Sequence, residues 1–119
     1  GAFIRCSLES LALKYKQTLG ELREVQSRPI ERIHIVGGGT QNKLLCQMTA
    51  DATGLPVVAG PVEATAIGNI LMQAIALGHI DSLQEGRKII RNSFPVEEYE
   101  PAETNKWNEA WSRFQGFLK

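Results

Sequence analysis

The sequence has little of several features that mark particular classes of protein. It holds two cysteines in 119 residues, Cys6 and Cys46, without a CxxC pair or a histidine cluster. This composition argues against a disulfide framework and against a zinc site, and it predicts two buried thiols in a reducing, cytoplasmic compartment. Charged residues interrupt the apolar runs well before the roughly 20 residues that a membrane helix needs. The first residues also lack the pattern of a signal peptide.

An excess of charge is absent as well. Thirteen basic side chains balance 13 acidic ones, so the formal net charge is zero. Nucleic acids and anionic membranes select basic proteins, and we expect neither as a partner. The apolar residues, 43% of the chain, can supply a core for one globular unit spanning residues 1–119. The chain starts at Gly1, directly before a helical pattern, which leads us to expect a segment of a longer protein.

The most informative stretch is a short apolar run that leads into three glycines. Residues Ile33 to Val36 have the pattern of a strand, Gly37 to Gly39 form a turn, and a helix is predicted from Asn42 to about Thr53. Glycines let the backbone approach a ligand closely, and a helix N-terminus presents unpaired N–H groups at the same point. The stretch therefore predicts a corner that binds an anion.

Other interpretations of this stretch stay open. The dinucleotide fingerprint G-x-G-x-x-G accommodates Gly37 and Gly39 but places Asn42 in the third glycine position, and Glu63 could then serve as the acidic ribose ligand. A P-loop is excluded because no Gly-Lys-Ser/Thr follows the turn. The remaining alternative is a strand-to-helix turn that binds no ligand.

Apolar periodicity outlines the rest of the chain. A second strand is predicted from Leu55 to Gly60, and two strands joined by one helix should form a right-handed parallel βαβ unit. An aromatic stripe that includes Trp107 is interpreted as core. The other predicted elements are helices from Phe3 to about Val25, from Pro61 to Gly78, from Ser82 to about Asn92 and from about Ala102 to Phe117, with an extended connector over residues 93–101.

Three motifs together resemble the C-terminal domain of FGGY-family carbohydrate kinases. They are Gly-Gly-Gly-Thr-Gln-Asn-Lys-Leu-Leu from Gly37, Gly-Leu-Pro-Val-Val from Gly54, and Gly-Pro-Val-Glu-Ala-Thr-Ala from Gly60, the last being the most specific. The resemblance implies an actin-like ATPase fold, in which two ribonuclease-H-like domains hold ATP and Mg²⁺ between them. The expected fold class is α/β, a partial ribonuclease-H-like domain with a parallel βαβ core of two strands flanked by helices.

The same resemblance implies which residues contact the nucleotide. The three glycines would approach the α-phosphate and ribose with their backbone, flanked by Thr40, and Asn42 would offer its amide to the adenine or ribose edge, with Gln41 as a further candidate. No catalytic residue and no metal ligand is expected in this chain, because the family's catalytic Asp, its sugar-binding domain and its other phosphate loop would precede Gly1. The predicted nucleotide-binding residues are Gly37, Gly38, Gly39, Thr40, Gln41 and Asn42.

These observations support one leading function and two alternatives. The leading hypothesis is the C-terminal, nucleotide-binding portion of a cytoplasmic sugar kinase, inactive by itself. The alternatives are a dinucleotide-binding module and a non-catalytic interaction scaffold. The apolar edge from Arg32 to Val36 would lack a neighbour, so we also expect copies of the chain to associate through Ile33, Ile35 and the helix from Ile4 to Leu22.

Overall fold

The computed structural model describes residues 1–118, which form helices on both sides of a small mixed sheet. None of the helices in this range is long and apolar enough to cross a membrane. A 3₁₀ turn, Gly37–Gln41, is called the glycine turn below. In chain order the elements are α1 (Ala2–Val25), β1 (Ile33–Ile35), the glycine turn, α2 (Lys43–Thr53), β2 (Val57–Ala59), α3 (Ala64–Ala76), α4 (Leu83–Ser93), β3 (Glu97–Tyr99) and α5 (Thr104–Phe117).

The sheet has the order β1-β2-β3. Strands β1 and β2 are parallel, with Ile33 opposite Val57 and Ile35 opposite Ala59, and α2 connects them. This confirms the predicted parallel βαβ unit.

The prediction of a connector over residues 93–101 was wrong for residues 97–99, which form a third strand, β3. This third strand runs antiparallel to β2, with Tyr99 opposite Val57. It lies at the edge of the sheet, and two of its three residues are exposed glutamates. A strand with so little apolar alternation has no sequence signal, because what orders it is its pairing with β2.

The core lies on the two sides of α2. On the sheet side Cys46 and Ala50 contact Val57 and Ala59. On the other side α2 packs against α1 and α5, and the buried members of that cluster are Ala12, Leu13, Met48, Ala52 and Trp107. Trp107 is therefore core, as predicted. The expectation of two buried thiols is correct for Cys46 and wrong for Cys6, which is exposed on α1.

The segment after β3 is anchored to α2 by a buried carboxylate. Asp51 is only 6% exposed, and its Oδ1 accepts hydrogen bonds from the backbone N–H of Ala102 at 2.8 Å and from Nε2 of Gln47 at 2.9 Å. Gln47 also donates to the carbonyl of Glu100 at 2.8 Å. The bonds to Ala102 and Glu100 join positions that are 51 and 53 residues apart, and they hold the segment before α5 against α2.

Helix α3 is attached much less firmly. Its one buried residue is Leu71, which packs where Gly86 of α4 leaves room, since a Cβ built on Gly86 would lie 2.3 Å from a Leu71 methyl. Ile70, Met72 and Leu77 are exposed by 68, 59 and 74%. The compact part of the fold is thus formed by α1, α2, α5 and the sheet.

Candidate functional site

The glycine turn lies at the carboxyl ends of the two parallel strands. The N–H of Gly60, directly after β2, donates to the carbonyl of Ile35 at 2.9 Å, and the N–H of Gly37 donates to the carbonyl of Pro61 at 3.1 Å. These bonds hold the ends of β1 and β2 side by side. Parallel α/β sheets bind ligands at this end of their strands, so the predicted turn lies where a ligand is expected.

The three glycines differ in what they require of the backbone. Gly37 has φ +76°, a conformation that residues with a Cβ rarely adopt. A Cβ on Gly39 would make an ordinary contact, 3.5 Å from Cγ2 of Ile35. A Cβ on Gly38 would meet no heavy atom within 4 Å. Gly38 is therefore the point where the backbone of the turn is most open to an approaching ligand.

Thr40 and Asn42, two of the predicted nucleotide-binding residues, use their side chains for hydrogen bonds to the backbone of this chain. The Thr40 hydroxyl, on a residue only 9% exposed, donates to the carbonyl of Gly37 at 2.8 Å. Oδ1 of Asn42 accepts from the backbone N–H of Leu45 at 3.0 Å and caps α2. Helix α2 consequently begins at Lys43, after the 3₁₀ turn, one residue later than the predicted start.

A cavity of about 340 Å³ opens beside the turn. Thr40 and Gln41 line one side of it, and Gln41 is exposed and within reach of a ligand. The other lining residues were not among the predicted nucleotide-binding residues; they are Lys43, Ala59, Gly60, Val62, Pro95 and Glu97.

Local sequence could have revealed part of this lining and not the rest. Lys43 follows the predicted Asn42 directly, and Gly60 opens the most specific motif of the chain. Glu97 has no such signal, because it reaches the cavity only through the pairing of β3 with β2.

A short chain of polar contacts determines the charge of the cavity. Nζ of Lys43 lies 3.0 Å from Oε1 of Glu97, and the Tyr99 hydroxyl donates to Oε2 of Glu97 at 2.5 Å. The hydrogen bond from Tyr99, followed by the one from Lys43, lowers the pKa of the Glu97 carboxyl. The same bond to Glu97 raises the pKa of Tyr99 to about 12. The two oppositely charged side chains that line the cavity, Lys43 and Glu97, are therefore paired with each other, and Tyr99 supports the carboxylate from outside the lining.

The side chains around the turn provide little for catalysis. Burial raises the pKa of the Cys46 thiol, which keeps it protonated and a poor nucleophile. Among residues 1–118 no group of three His, Cys, Asp or Glu is placed to hold a metal ion. Glu63, the ribose ligand of the dinucleotide alternative, is exposed and is not among the residues that line the cavity.

Known proteins with similar sequences and structures are sugar kinases. Residues 1–77 match the model of the FGGY family of carbohydrate kinases, C-terminal domain. A rhamnulokinase of Bacteroides thetaiotaomicron is 45% identical over 119 residues, which is 100% of this chain and 24% of that protein. A rhamnulokinase of Pectobacterium atrosepticum is 45% identical over 111 residues, 93% of this chain and 22% of that protein. The chain thus spans about a quarter of the length of the curated relatives it matches.

The crystal structure of xylulose kinase from Rhodospirillum rubrum has a similar fold. It matches with a TM-score of 0.71 at 23% identity, over 92% of this chain and 22% of the other. This likeness confirms the predicted fold class, α/β with part of a ribonuclease-H-like, actin-like ATPase domain.

The cap formed by Asn42 can be tested by two substitutions. We expect Asn42→Ala to lower the free energy of unfolding by about 1 kcal/mol, because the N–H of Leu45 loses its acceptor. Asn42→Asp should change the free energy of unfolding by no more than roughly a few tenths of a kcal/mol, since Asp also caps helices and its negative charge is favourable at a helix N-terminus. Denaturant unfolding measures both, with exposed Asn92→Ala on α4 as the matched control. Equal stability of Asn42→Ala and Asn92→Ala would mean that the cap does not stabilise the turn.

Proposed function

The chain belongs to the FGGY family of carbohydrate kinases, and on that basis we propose that it forms the C-terminal, nucleotide-binding portion of an ATP-dependent sugar kinase. One observation carries the proposal: the matched residues 1–77 contain both parallel strands and the whole glycine turn at their carboxyl ends. The similar kinases do not support the dinucleotide-binding module or the interaction scaffold.

The proposed reaction is the transfer of a phosphoryl group from ATP to L-rhamnulose, which yields L-rhamnulose 1-phosphate and ADP. The choice of sugar rests on the two rhamnulokinases, which are 45% identical to this chain. The reaction would form part of rhamnose catabolism and would draw on cytoplasmic ATP. The sugar-binding domain and the catalytic base would belong to the rest of such an enzyme.

The proposed nucleotide contacts come mainly from backbone. Gly37, Gly38 and Gly39 approach the α-phosphate and ribose, and the open side of Gly38 is where no side chain intervenes. Asn42 keeps its Nδ2 group as a donor for the adenine or ribose edge while its Oδ1 caps α2. Gln41 is an additional amide beside it, and Lys43, which is paired with Glu97, lines the same cavity.

The residues of this chain do not fit a magnesium site. The acid that lines the cavity, Glu97, already contacts Lys43 and Tyr99, whereas Mg²⁺ needs free carboxylates or waters at the phosphates. We therefore assign no metal ligand here, and Mg²⁺ is proposed only for a complete enzyme. This chain would bind and orient ATP, while the carboxylate near the acceptor hydroxyl would come from elsewhere.

We accordingly expect the purified 119-residue chain to have no sugar kinase activity. Phosphoryl transfer depends on positioning and charge stabilisation of both substrates, and this chain provides neither a sugar site nor a base. A coupled assay of ADP release with ATP, Mg²⁺ and L-rhamnulose should give the rate seen without protein. Rhamnulose-dependent ADP release that disappears in the Gly38→Val variant would contradict this, because it would come from the chain itself.

The chain should nevertheless bind ATP weakly, with a dissociation constant of roughly 1 mM or more, because one helix N-terminus contributes only about 1 kcal/mol. Amide chemical shifts during titration with ATP should change mainly over Gly37 to Asn42. We expect Gly38→Val to abolish these changes by obstructing the open side of the turn. Gly20→Val on α1 is the matched control, because a Cβ there also meets no heavy atom within 4 Å.

The same titration discriminates between the three interpretations. Larger shifts with NAD than with ATP, centred on the turn and Glu63, would favour the dinucleotide alternative. The absence of shifts with either nucleotide would favour the interpretation of a turn that binds no ligand. Unchanged binding of ATP by Gly38→Val would place the nucleotide elsewhere and contradict the proposed contacts.

We further propose that two copies of the chain associate along β1. Ile33 and Ile35 exchange hydrogen bonds with the β2 side, including Ile33 N–H to the carbonyl of Pro56 and Gly60 N–H to the carbonyl of Ile35, each at 2.9 Å. Alternation along a parallel strand therefore turns the N–H and C=O of His34 to the outer edge. An open edge of this kind recruits another strand.

An apolar groove of about 510 Å³ runs beside this edge, between α1 and β1. Helix α1 packs mainly on α2 and does not fill the groove. A second copy could place its own β1 on the edge and its apolar residues in the groove. The apolar residues that line the groove are Tyr15, Leu19, Leu22, Ile33 and Ile35.

Light scattering at micromolar concentration tests the association. We expect a mass above that of one chain, and we expect Leu22→Glu to shift it toward the monomer because a carboxylate would enter the groove. Leu77→Glu is the control, since Leu77 is an exposed leucine directly after α3 and lies outside the groove. A clean monomer for the unsubstituted chain, or an equal effect of both variants, would contradict association through this edge.

A further inference from the structure

The sheet has a second face, opposite α2, which the proposed nucleotide site does not use. Ile33 and Ile35 pack against the buried cluster that Cys46 and Ala50 of α2 form with the sheet. Because side chains alternate along a strand, His34 between them points to the other face. The register then forms one row across the sheet, with His34 opposite Val58 and Val58 opposite Glu98. These three side chains share the second face.

Helix α4 turns this face into a cleft. Arg87, Ile90 and Arg91 are spaced i, i+3 and i+4, so they lie on one side of the helix, and all three line a cavity of about 380 Å³ together with the row across the sheet. Val58, Val96 and Ile90 are its apolar lining. Gly60 borders both this cleft and the cavity at the glycine turn, so the two lie on opposite faces of the same strand end.

The charges of the cleft are not balanced. Three guanidinium groups, those of Arg32, Arg87 and Arg91, line it together with one carboxylate, that of Glu98. The salt bridges found within residues 1–118 involve other side chains, and none of the arginines of the cleft pairs with Glu98. This local excess of positive charge stands out in a chain whose net charge is zero.

We propose that this cleft binds a small organic anion whose phosphate or carboxylate group is held by Arg32, Arg87 and Arg91 and whose apolar body lies on Val58 and Ile90. A planar guanidinium group can donate two parallel hydrogen bonds to a pair of oxygens of either a carboxylate or a phosphate. An anion would relieve the mutual repulsion of the arginines, which the single Glu98 carboxylate cannot. The apolar lining favours a ligand that carries more than its charged group.

The cleft is independent of the proposed nucleotide site, because no residue of the glycine turn lines it. Binding there would therefore survive the Gly38→Val substitution. Failure of the nucleotide proposal would leave this one standing, and the reverse also holds.

Titration with four probes, followed by amide chemical shifts, tests the inference. Phenyl phosphate and benzoate carry a ring with each kind of anion, inorganic phosphate carries the charge alone, and benzyl alcohol carries the ring alone. We expect saturable shifts at His34, Val58, Glu98 and α4 with phenyl phosphate or benzoate, and the tighter of the two identifies the anion. Inorganic phosphate should bind more weakly, and benzyl alcohol should give no saturable shift at these residues.

Two matched double variants examine the role of the arginines. Arg87→Gln with Arg91→Gln should weaken binding of the preferred probe at least tenfold, roughly the effect of losing one charge-assisted hydrogen bond. Arg23→Gln with Arg28→Gln removes the same charge from residues outside the cleft and should leave the affinity unchanged. Thermal unfolding of both variants should match the parent, since all four side chains belong to exposed residues.

Three results would overturn the inference. One is the absence of saturable shifts on the second face with either ring-bearing anion. Another is shifts confined to Gly37 to Asn42, which would assign anion binding to the glycine turn. The third is an equal loss of affinity in both double variants, which would indicate general charge attraction without a built site.

Discussion

The burial of α2 on two sides is the constraint on which the rest of the structure depends. Cys46 and Ala50 pack on the sheet, while Met48 and Ala52 pack on α1 and α5, and small side chains in this helix permit both approaches. A helix held on two sides cannot rotate or slide without opening one of the two clusters. Its N-terminus is therefore in a defined position relative to the ends of β1 and β2.

The glycine turn takes its position from that helix. Asn42 caps α2, Thr40 closes the turn onto Gly37, and Gly37 is bonded to the segment after β2. The side chains of Thr40 and Asn42, which the sequence alone suggests as ligand contacts, thus hold the backbone in the conformation that exposes Gly38. Binding through backbone groups needs such a rigid support, because a glycine-rich segment would otherwise lose much conformational entropy on meeting a ligand.

The parts of the fold differ in how completely they are packed. Helix α2 and the sheet form a dense centre, whereas α3 buries one leucine and leaves Ile70 and Met72 exposed. Within residues 1–118 the outer edge of β1 also has no neighbouring strand. A sugar kinase must hold two substrates together in one enclosed site. This chain has an exposed glycine turn at the carboxyl ends of its two parallel strands.

Features that arise from neighbouring residues could be predicted from the amino-acid sequence. The apolar run before three glycines predicted β1 and the turn, the spacing of Leu55 to Gly60 predicted the parallel βαβ unit, and the motif from Gly60 predicted the kinase family, because each depends on local patterns that survive without knowledge of the fold.

Features that join distant positions became visible only in the folded chain. Strand β3, whose residues 97–99 resemble a polar connector, is ordered by β2, about 40 residues earlier, and it brings Glu97 to Lys43, 54 positions away. The row of His34, Val58 and Glu98 under the arginines of α4 arises in the same way. Pairing of this kind is set by packing across the whole sheet, and the energy that selects it is not contained in any one segment of the chain.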